Sequence, residues 1–533
     1  MARCFNTAHA NRPQQDYTLP PLERLPSDIV GLVEDGYYFV LHAPRQSGKT
    51  TSMMALADKL RESGKYAVVF ASLEAGRGCK NVAEVVDSVV NDLRIAASNE
   101  LPAQERPPVE QSAEAAHART RLYTYLQAWA KHCARPLVLI LDEIDCLENE
   151  GLISVLSQLR KGYAERPKAF PHSVAIFGMR DVRDYKVASG GSGHLGSASP
   201  FNIKRESLTI HYFDRNDIAE LFGQHTAETS QIFSEAAIDR VWHLTQGQPH
   251  LVNALADSVV RKQKWPDQIE VPQIDEAKER FILERGTHLD SLMDRLREDR
   301  VRRVIQPILA GADTTTANVD DEGYVRDLGL ISGRHADIAN PIYREVIARY
   351  LSAQYQGGIR IVRGRWLGDD GRLDIDGLRS AFVAFWREYA EPFVAHESYQ
   401  EVAVQLVLMG FLQRVVNGGG HILREYAAGM GRIDVLIRWP LADAAGKVDL
   451  YGTQFENHLW ELKVWTDRNK RADPKAEGLE QIAEYLARVP CESASLVIFD
   501  RREVALRKSW EKRLKVEVKR PVVAEVAVWV VRA

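Results

Sequence analysis

The 533-residue sequence has no long apolar run: none approaches the roughly 18 residues that a membrane-spanning helix needs. Cysteine is scarce. The five present, Cys4, Cys79, Cys133, Cys146 and Cys491, lie far apart with no C-x-x-C pair. That argues against a disulfide framework or a cysteine-ligated zinc site, and ordinary reduced thiols are expected. An excess of one charge sign is also missing. Lys and Arg number 69 against 73 Asp and Glu, a net charge of -4, which excludes a uniformly basic nucleic-acid coat protein. The first residues (MARCFNTAHANRPQQD) hold no apolar signal-peptide core, so the cytoplasm is the expected address. No repeat of fixed period is visible. What remains is a globular composition, 45% hydrophobic and 27% charged. At about 150 residues per domain, three or four domains are expected.

The near-neutral total hides an uneven split. Residues 361–533 carry 26 basic and 25 acidic residues, whereas the rest carries 43 and 48. Within the last part, Arg501–Arg520 holds nine basic residues against three acidic ones. Two readings stand: a solvated helix face, or a patch that contacts phosphates.

Apolar runs at Tyr37–His42, Tyr66–Ala71, Leu137–Leu141 and Val174–Phe177 alternate with helical patterns, the first from Thr50 to Glu62 with Gly64 as its stop. That order predicts a parallel α/β sheet. Ser98–His117 is polar, contains Pro107 and Pro108, and reads as an exposed insertion. Ser189–Ser199 (SGGSGHLGSAS) reads as a loop. Helical patterns follow from Asn216 to Lys262, broken at Gly247–Pro249, and then a charged helix near Asp275–Arg303. Residues 304–355 mix short helices with a strand-turn-strand pattern similar to a winged helix. After Gly357 and Gly358 a second α/β segment begins.

The first apolar run leads into Ala43-Pro44-Arg45-Gln46-Ser47-Gly48-Lys49-Thr50, a Walker A loop in which Ala43 stands where Gly is usual. A strand, a tight loop and a helix N-terminus let backbone N–H groups cradle phosphates. Lys49 is expected to reach the β- and γ-phosphates and Thr50 to ligate Mg²⁺, with Thr51 beside them. The run Leu137–Leu141 ends at Asp142-Glu143, a Walker B pattern. Asp142 is expected to hold Mg²⁺ and Glu143 to orient and deprotonate the attacking water. Arg180, in Met179-Arg180-Asp181, is the expected γ-phosphate sensor, with a surface salt bridge as the alternative. Pro249, in Gly247-Gln248-Pro249, either lies against the nucleotide or only breaks a helix. On these motifs residues 20–290 resemble an AAA-like P-loop ATPase of the branch spanning archaeal-type and STAND ATPases. The resemblance implies ATP as ligand, a helical lid, and a winged-helix module over 291–360.

Chemistry recurs near the C-terminus. GRIDVLIRW (Gly431–Trp439) carries one carboxylate, Asp434, and LWELKVW (Leu459–Trp465) carries Glu461 and Lys463. In a strand, residues i and i+2 share a face. Glu461 and Lys463 should therefore point one way, and Trp460, Leu462 and Val464 the other. A Glu and a Lys inside an apolar strand need partners. A helix near Gly478–Arg488 puts Gln481 and Tyr485 on one face, and an apolar strand follows at Leu496–Phe499. The helix Ser398–Val415 begins with Ser398-x-x-Glu401, a capping-box pattern. This order resembles the PD-(D/E)XK nuclease superfamily over residues 361–533, and its Gln-x-x-x-Tyr helix is similar to the RecB-like branch. The aspartate follows Ile433 and not a proline, a departure from the pattern.

The resemblance implies a restriction-endonuclease-like fold. Asp434, Glu461 and the Leu462 carbonyl would bind Mg²⁺ or Mn²⁺, and Lys463 would stabilise the transition state. Glu401 would be an indirect ligand, and Gln481 and Tyr485 would hold the phosphate. Three readings stay open. One is an ATP-regulated nuclease acting on nucleic acid, DNA favoured, with defence against foreign DNA as its role. Another is an ATP-dependent DNA-binding switch with a non-catalytic nuclease fold. The third is a STAND-like signalling protein that forms a homo-oligomer with nucleotide. No membrane partner is expected.

Overall fold

The computed structural model describes residues 3–108, 117–178, 204–263, 265, 267–284, 287–309, 319–333, 336–356, 368, 372–389, 408, 411–412, 421–428, 431–441, 455–465, 473–500, 502, 522–523 and 526–532. The chain divides into two compact units. One is Met1–Leu292 with Thr316–Ile342, the other Met293–Thr315 with Tyr343–Ala533.

The first unit is built on five parallel strands: β1 (Tyr38–His42), β2 (Ala67–Ser72), β3 (Leu137–Asp142), β4 (Ser173–Gly178) and β5 (Lys204–Thr209). Their order is β2-β3-β4-β1-β5. β1, β3 and β4 are apolar on both faces, as parallel strands covered on both sides must be. Phe39, Leu41, Val138, Ile140 and Phe177 pack against helices α1 (Ile29–Glu34) and α2 (Lys49–Glu62). Tyr38, Val40, Leu139, Leu141 and Ile176 pack on the other face, against α3 (Val82–Glu100), α4 (Ala118–His132) and α5 (Asn149–Gly162). Helices α6 (Arg215–Thr229), α7 (Glu235–Thr245), α8 (Pro249–Asp257) and α9 (Val271–Glu284) follow β5. The break at Gly247 is as expected. A second one, at Ser230–Ser234, follows the left-handed Ser230 that ends α6.

One expectation needs refinement and another correction. The start of the supposed exposed insertion is the last turn of α3, and Glu105 beyond it is only 5% exposed. Its carboxylate accepts from Arg135 Nε at 2.6 Å and Nη2 at 2.5 Å, and its carbonyl accepts from Trp129 Nε1. Most described residues of the segment are exposed as expected; Glu105 alone among its charged residues is interior, because a guanidinium fork matches its carboxylate. The single charged helix near Asp275–Arg303 is three helices, α9, Thr287–Arg295 and Asp299–Leu309. Tight turn bonds, Leu296 N–H to the Met293 carbonyl and Arg297 N–H to that of Asp294, close the second. Further on lie the helix Val319–Asp327, the short hairpin β6 (Ile331–Ser332) with β7 (Asp337–Ile338), and the helix Pro341–Gln356. The loop expected at Ser189–Ser199 lies outside the described residues.

The second unit holds a mixed six-stranded sheet: β8 (His421–Ala428), β9 (Gly431–Pro440), β10 (Phe455–Trp465), β11 (Ser493–Asp500), β12 (Val522–Val523) and β13 (Val526–Arg532). The order is β12-β13-β11-β10-β9-β8. β8, β9 and β10 are antiparallel neighbours, while β10, β11 and β13 run parallel. Helix α10 (Ile375–Tyr389) covers the face bearing Val435, Ile437, Trp460, Leu462 and Val497. Helix α11 (Lys475–Leu486) covers the face bearing Leu436, Leu459, Leu496 and Ile498.

One detail of this sheet positions two carboxylates. The β9–β10 ladder ends at the pair Trp460–Val435. β9 continues on β8 to Gly431, while β10 continues on β11 to Trp465. The sheet therefore forks just where Asp434 and Glu461 stand.

Candidate nucleotide site and candidate metal site

In the first unit the loop after β1 is anchored by Ala43 N–H donating to the Gly178 carbonyl at 3.1 Å. Ala43 is buried and is not among the left-handed residues; Gln46 (φ 57°) and Gly48 (φ 86°) are. The methyl group at the first Walker position therefore costs no backbone strain. Left-handed residues in such a loop turn successive N–H groups toward one point, an anion-binding nest. Lys49 Nζ donates to the carbonyls of Ala43 at 2.6 Å and Pro44 at 3.1 Å. Burial lowers the Lys49 pKa, and the carboxylates of Asp145, Asp142 and Glu143 oppose that.

Thr50 Oγ1 donates to Asp142 Oδ2 at 3.0 Å, and Glu143 N–H donates to Asp142 Oδ1 at 2.8 Å. Burial, and next to it the Glu143 charge, raises the Asp142 pKa. A hydroxyl and a buried carboxylate in contact are a donor set that suits Mg²⁺. Glu143 is itself left-handed (φ 57°). Its Oε2 accepts from the Cys146 thiol at 3.6 Å, and Arg77 Nη2 lies 3.0 Å from that sulfur. The structure thus brings Lys49, Thr50, Asp142 and Glu143 together. Thr51 Oγ1 accepts instead from Asn11 N–H at 3.0 Å, Ser47 Oγ bonds the Pro44 carbonyl, and Arg45 Nη1 donates to Ser291 Oγ. Arg180 lies outside the described residues.

The Gly247-Gln248-Pro249 turn does reach the loop, but through Gln248. Pro249 is buried as the first residue of α8. Gln248 Oε1 caps that helix by accepting from Leu251 N–H at 2.7 Å, and Nε2 donates to the Gln46 carbonyl at 3.3 Å. Gly247 is required: φ is +73°, and a Cβ there would collide with the Phe213 carbonyl. Arg24 is a further neighbour that motif reading missed. Nη2 donates to the Ser47 carbonyl at 2.5 Å and to the His211 carbonyl at 2.9 Å. The guanidinium lies over Gly48 and stacks on Phe213, and burial lowers its pKa to about 10.

In the second unit the alternation expected for β10 holds. Trp460, Leu462 and Val464 join the α10-side core. Glu461 is only 2% exposed, its Oε1 accepting from Lys463 Nζ at 2.8 Å. Asp434 Oδ2 accepts from the Leu462 backbone N–H at 2.8 Å, across the fork. Burial first, and then the Asp434 charge, pushes the Glu461 pKa up to about 7; Lys463 pulls the other way. Glu461 Oε2 and Gln481 Oε1 are buried with no well-formed hydrogen bond among the described residues. Tyr485 is buried in the α11-side core. The structure assigns Leu462 an amide contact to Asp434. Glu401 and, except for Arg502, the stretch Arg501–Arg520 lie outside the described residues.

Among the described residues no three His, Cys, Asp or Glu side chains gather as a metal site. Asp434 and Glu461 are a pair, so a metal there would need water or substrate oxygens to complete its shell. The opposite face of the sheet holds a buried polar group that the sequence reading missed. His458 Nδ1 lies 2.9 Å from Ser493 Oγ, Glu456 accepts from Leu373 N–H, and Arg379 bonds Ser495 and the Ala494 carbonyl.

Residues 34–185 match the family model described as AAA domain. This segment is a P-loop ATPase domain of the AAA type. No curated protein matches the chain. Among solved structures, the Walker-type ATPase PABY2304 of Pyrococcus abyssi is 14% identical, with 64% of this chain and 99% of that one covered and a TM-score of 0.45. The RuvB Holliday junction branch migration motor of Thermotoga maritima is 15% identical, with 60% and 91% covered and a TM-score of 0.32. Cdc6p from Pyrobaculum aerophilum is 12% identical, with 76% and 98% covered and a TM-score of 0.36. No helix among the described residues is long and apolar enough to cross a membrane.

Proposed function

We propose that the chain is an ATP-hydrolysing switch that governs a divalent-metal-dependent nuclease of the PD-(D/E)XK type. The observation that carries the nuclease reading is the fork between β9 and β10. It leaves a buried carboxylate oxygen, Glu461 Oε2, without a well-formed hydrogen bond among the described residues, beside a second carboxylate, Asp434. A buried anion next to another is costly in a merely structural role, because either one is better replaced by an apolar residue. A divalent cation removes that cost and, when bound, neutralises charge on a phosphodiester and lowers the pKa of its water. Lys463, bonded to Glu461, would stabilise charge that develops on the phosphate. Gln481, on the helix above, offers its amide to a phosphate oxygen.

In the first unit Thr50 and Asp142 would hold Mg²⁺, Lys49 would leave the loop carbonyls for the phosphates, and Glu143 would take the proton of the attacking water. The helix-hairpin-helix order around β6 and β7 supports a winged-helix module, which favours DNA as partner by analogy alone.

The test is plasmid cleavage in Mg²⁺ or Mn²⁺, with and without ATP, for wild type, Lys463→Ala and Lys49→Ala. Cleavage that survives in Lys463→Ala rejects the nuclease site. Cleavage that needs Lys463 but ignores Lys49 rejects ATP control alone. The Glu461–Lys463 ion pair favours one second reading, a nuclease fold that binds DNA without cutting it. That reading expects Lys463→Ala to weaken DNA binding and no metal to produce cuts. Light scattering with and without ATP decides whether the switch assembles into a homo-oligomer.

A further inference from the structure

The phosphate loop is held from outside. Two consecutive peptide groups in it have their carbonyls bonded by side chains from elsewhere in the same unit. The Gln46 carbonyl accepts from Gln248 Nε2, and the Ser47 carbonyl from Arg24 Nη2. In a trans peptide the C=O and N–H point in opposite directions. A carbonyl fixed on the outer side of the loop therefore fixes the N–H of the next residue on the inner side. The two N–H groups so fixed are those of Ser47 and Gly48, the residues that precede Lys49.

We propose that Arg24 and Gln248 are positioning residues that hold the Ser47 and Gly48 N–H groups toward the phosphates and tie the loop to the helices after β5. The inference rests on reading this loop as a triphosphate site. Without an anion, parallel N–H groups repel one another, so a nest tends to flip its peptides. Arg24 opposes that flip with a fork: the same Nη2 bonds the Ser47 and His211 carbonyls, and Nε also donates to His211 at 3.2 Å. His211 lies at the entry to the helical segment, and two residues later Phe213 N–H bonds the Gly247 carbonyl in the turn that carries Gln248. The loop is thus pinned twice to one structural element. A movement of that element would release both peptides together, which makes phosphate affinity depend on its position.

The variants are chosen to remove a pin and little else. Gln248→Ser keeps a good cap for α8 but cannot reach Gln46. Arg24→Met keeps length and loses the donors, while Arg24→Lys keeps the charge without the fork. Calorimetric titration with ATP and with tripolyphosphate is compared for each, beside the melting temperature without ligand and steady-state ATP turnover. Gln248→Ser and Arg24→Met are expected to weaken ATP and tripolyphosphate alike, each about tenfold, the usual size of one lost hydrogen bond. KM should rise with kcat held and the ligand-free melting temperature unchanged.

Full affinity in Gln248→Ser overturns the inference, and so does full affinity in Arg24→Lys, which would make Arg24 a charge contact to phosphate instead. If Arg24→Met melts early, Gln248→Ser alone decides. Wild type that binds neither ligand, or binding that survives in Lys49→Ala, would instead remove the triphosphate reading on which the inference stands.

Discussion

The two candidate sites are built on opposite principles. In the first unit a buried parallel strand ends in a loop whose backbone makes the site, and side chains mainly steer that backbone. In the proposed site of the second unit the backbone only forks, and side chains from two strands and a helix would supply the chemistry. A backbone site needs a contiguous motif with residues at special dihedral angles, Gln46 and Gly48. A side-chain site needs only parity and register, Asp434 on β9 and Glu461 on β10 just beyond the last ladder pair.

The contrast predicts where each site breaks. The largest effect belongs to the side-chain site. Lys463→Ala should reduce metal-dependent cleavage by at least about 100-fold, as loss of one transition-state donor does. ATP affinity should stay at the wild-type value, measured by titration on the same sample. A fall in both would mean that Lys463 serves stability and not the reaction.

The next prediction concerns pH. The Glu461 pKa is raised from 4.5 to about 7. Between these values the folded chain keeps a proton that the unfolded chain has released. The stability this group contributes is therefore fully present below pH 4.5 and is lost as pH rises through about 7. Denaturation in EDTA, followed by tryptophan fluorescence, should show wild type losing stability across that window by a few kcal/mol. Glu461→Gln should flatten the slope and match or exceed wild type at pH 8. Added Mg²⁺ should stabilise wild type at pH 8 and leave Glu461→Gln unmoved. A slope that persists in Glu461→Gln would assign the titration to another group.

The same contrast explains what could be read in the sequence. The Walker A residues lie together because a loop is local, and Lys49 and Thr50 meet Asp142 and Glu143 from the end of β3. Alternation placed Glu461 and Lys463 on one face because the period of a strand is two. The misses have physical causes. Arg24 and Gln248 act on carbonyls, and any arginine or glutamine can do that, so composition carries no signal. β10 begins at Phe455, four residues before the apolar run suggests. Glu456 and His458 lie outside that run, so nothing in the pattern marks them as strand, although they share a face with Trp460 and are buried. Glu105 looked exposed because its partner, Arg135, is 30 residues away.

The backbone site should be vulnerable to a substitution that touches no phosphate. Gly247→Ala forces a methyl group toward the Phe213 carbonyl at a positive φ. The cost is about 1–3 kcal/mol for the strained conformation, read as a lower melting temperature of the first unit. Because the turn carries Gln248, ATP affinity should fall as well. No glycine plays such a part at the described residues of the carboxylate pair. Unchanged melting in Gly247→Ala would show that the turn can rearrange, and would weaken the case for a rigid tie to the loop.

The smallest effect tests the one departure from the Walker pattern. If Ala43 were a defect, Ala43→Gly would improve ATP affinity. The geometry argues otherwise. Ala43 is not in the left-handed region, its N–H is bonded to Gly178, and its methyl group is buried beside Leu41, Met53 and Phe177. Glycine would remove that contact and add freedom to the unfolded chain, so Ala43→Gly should lower stability by about 1 kcal/mol. ATP affinity should remain within about twofold, because the fixed N–H groups belong to Ser47 and Gly48, four and five residues further on. A clear gain in affinity would place the first loop position inside the nest. The line between backbone that binds and backbone that packs would then have to move from the far side of Pro44 to the end of β1.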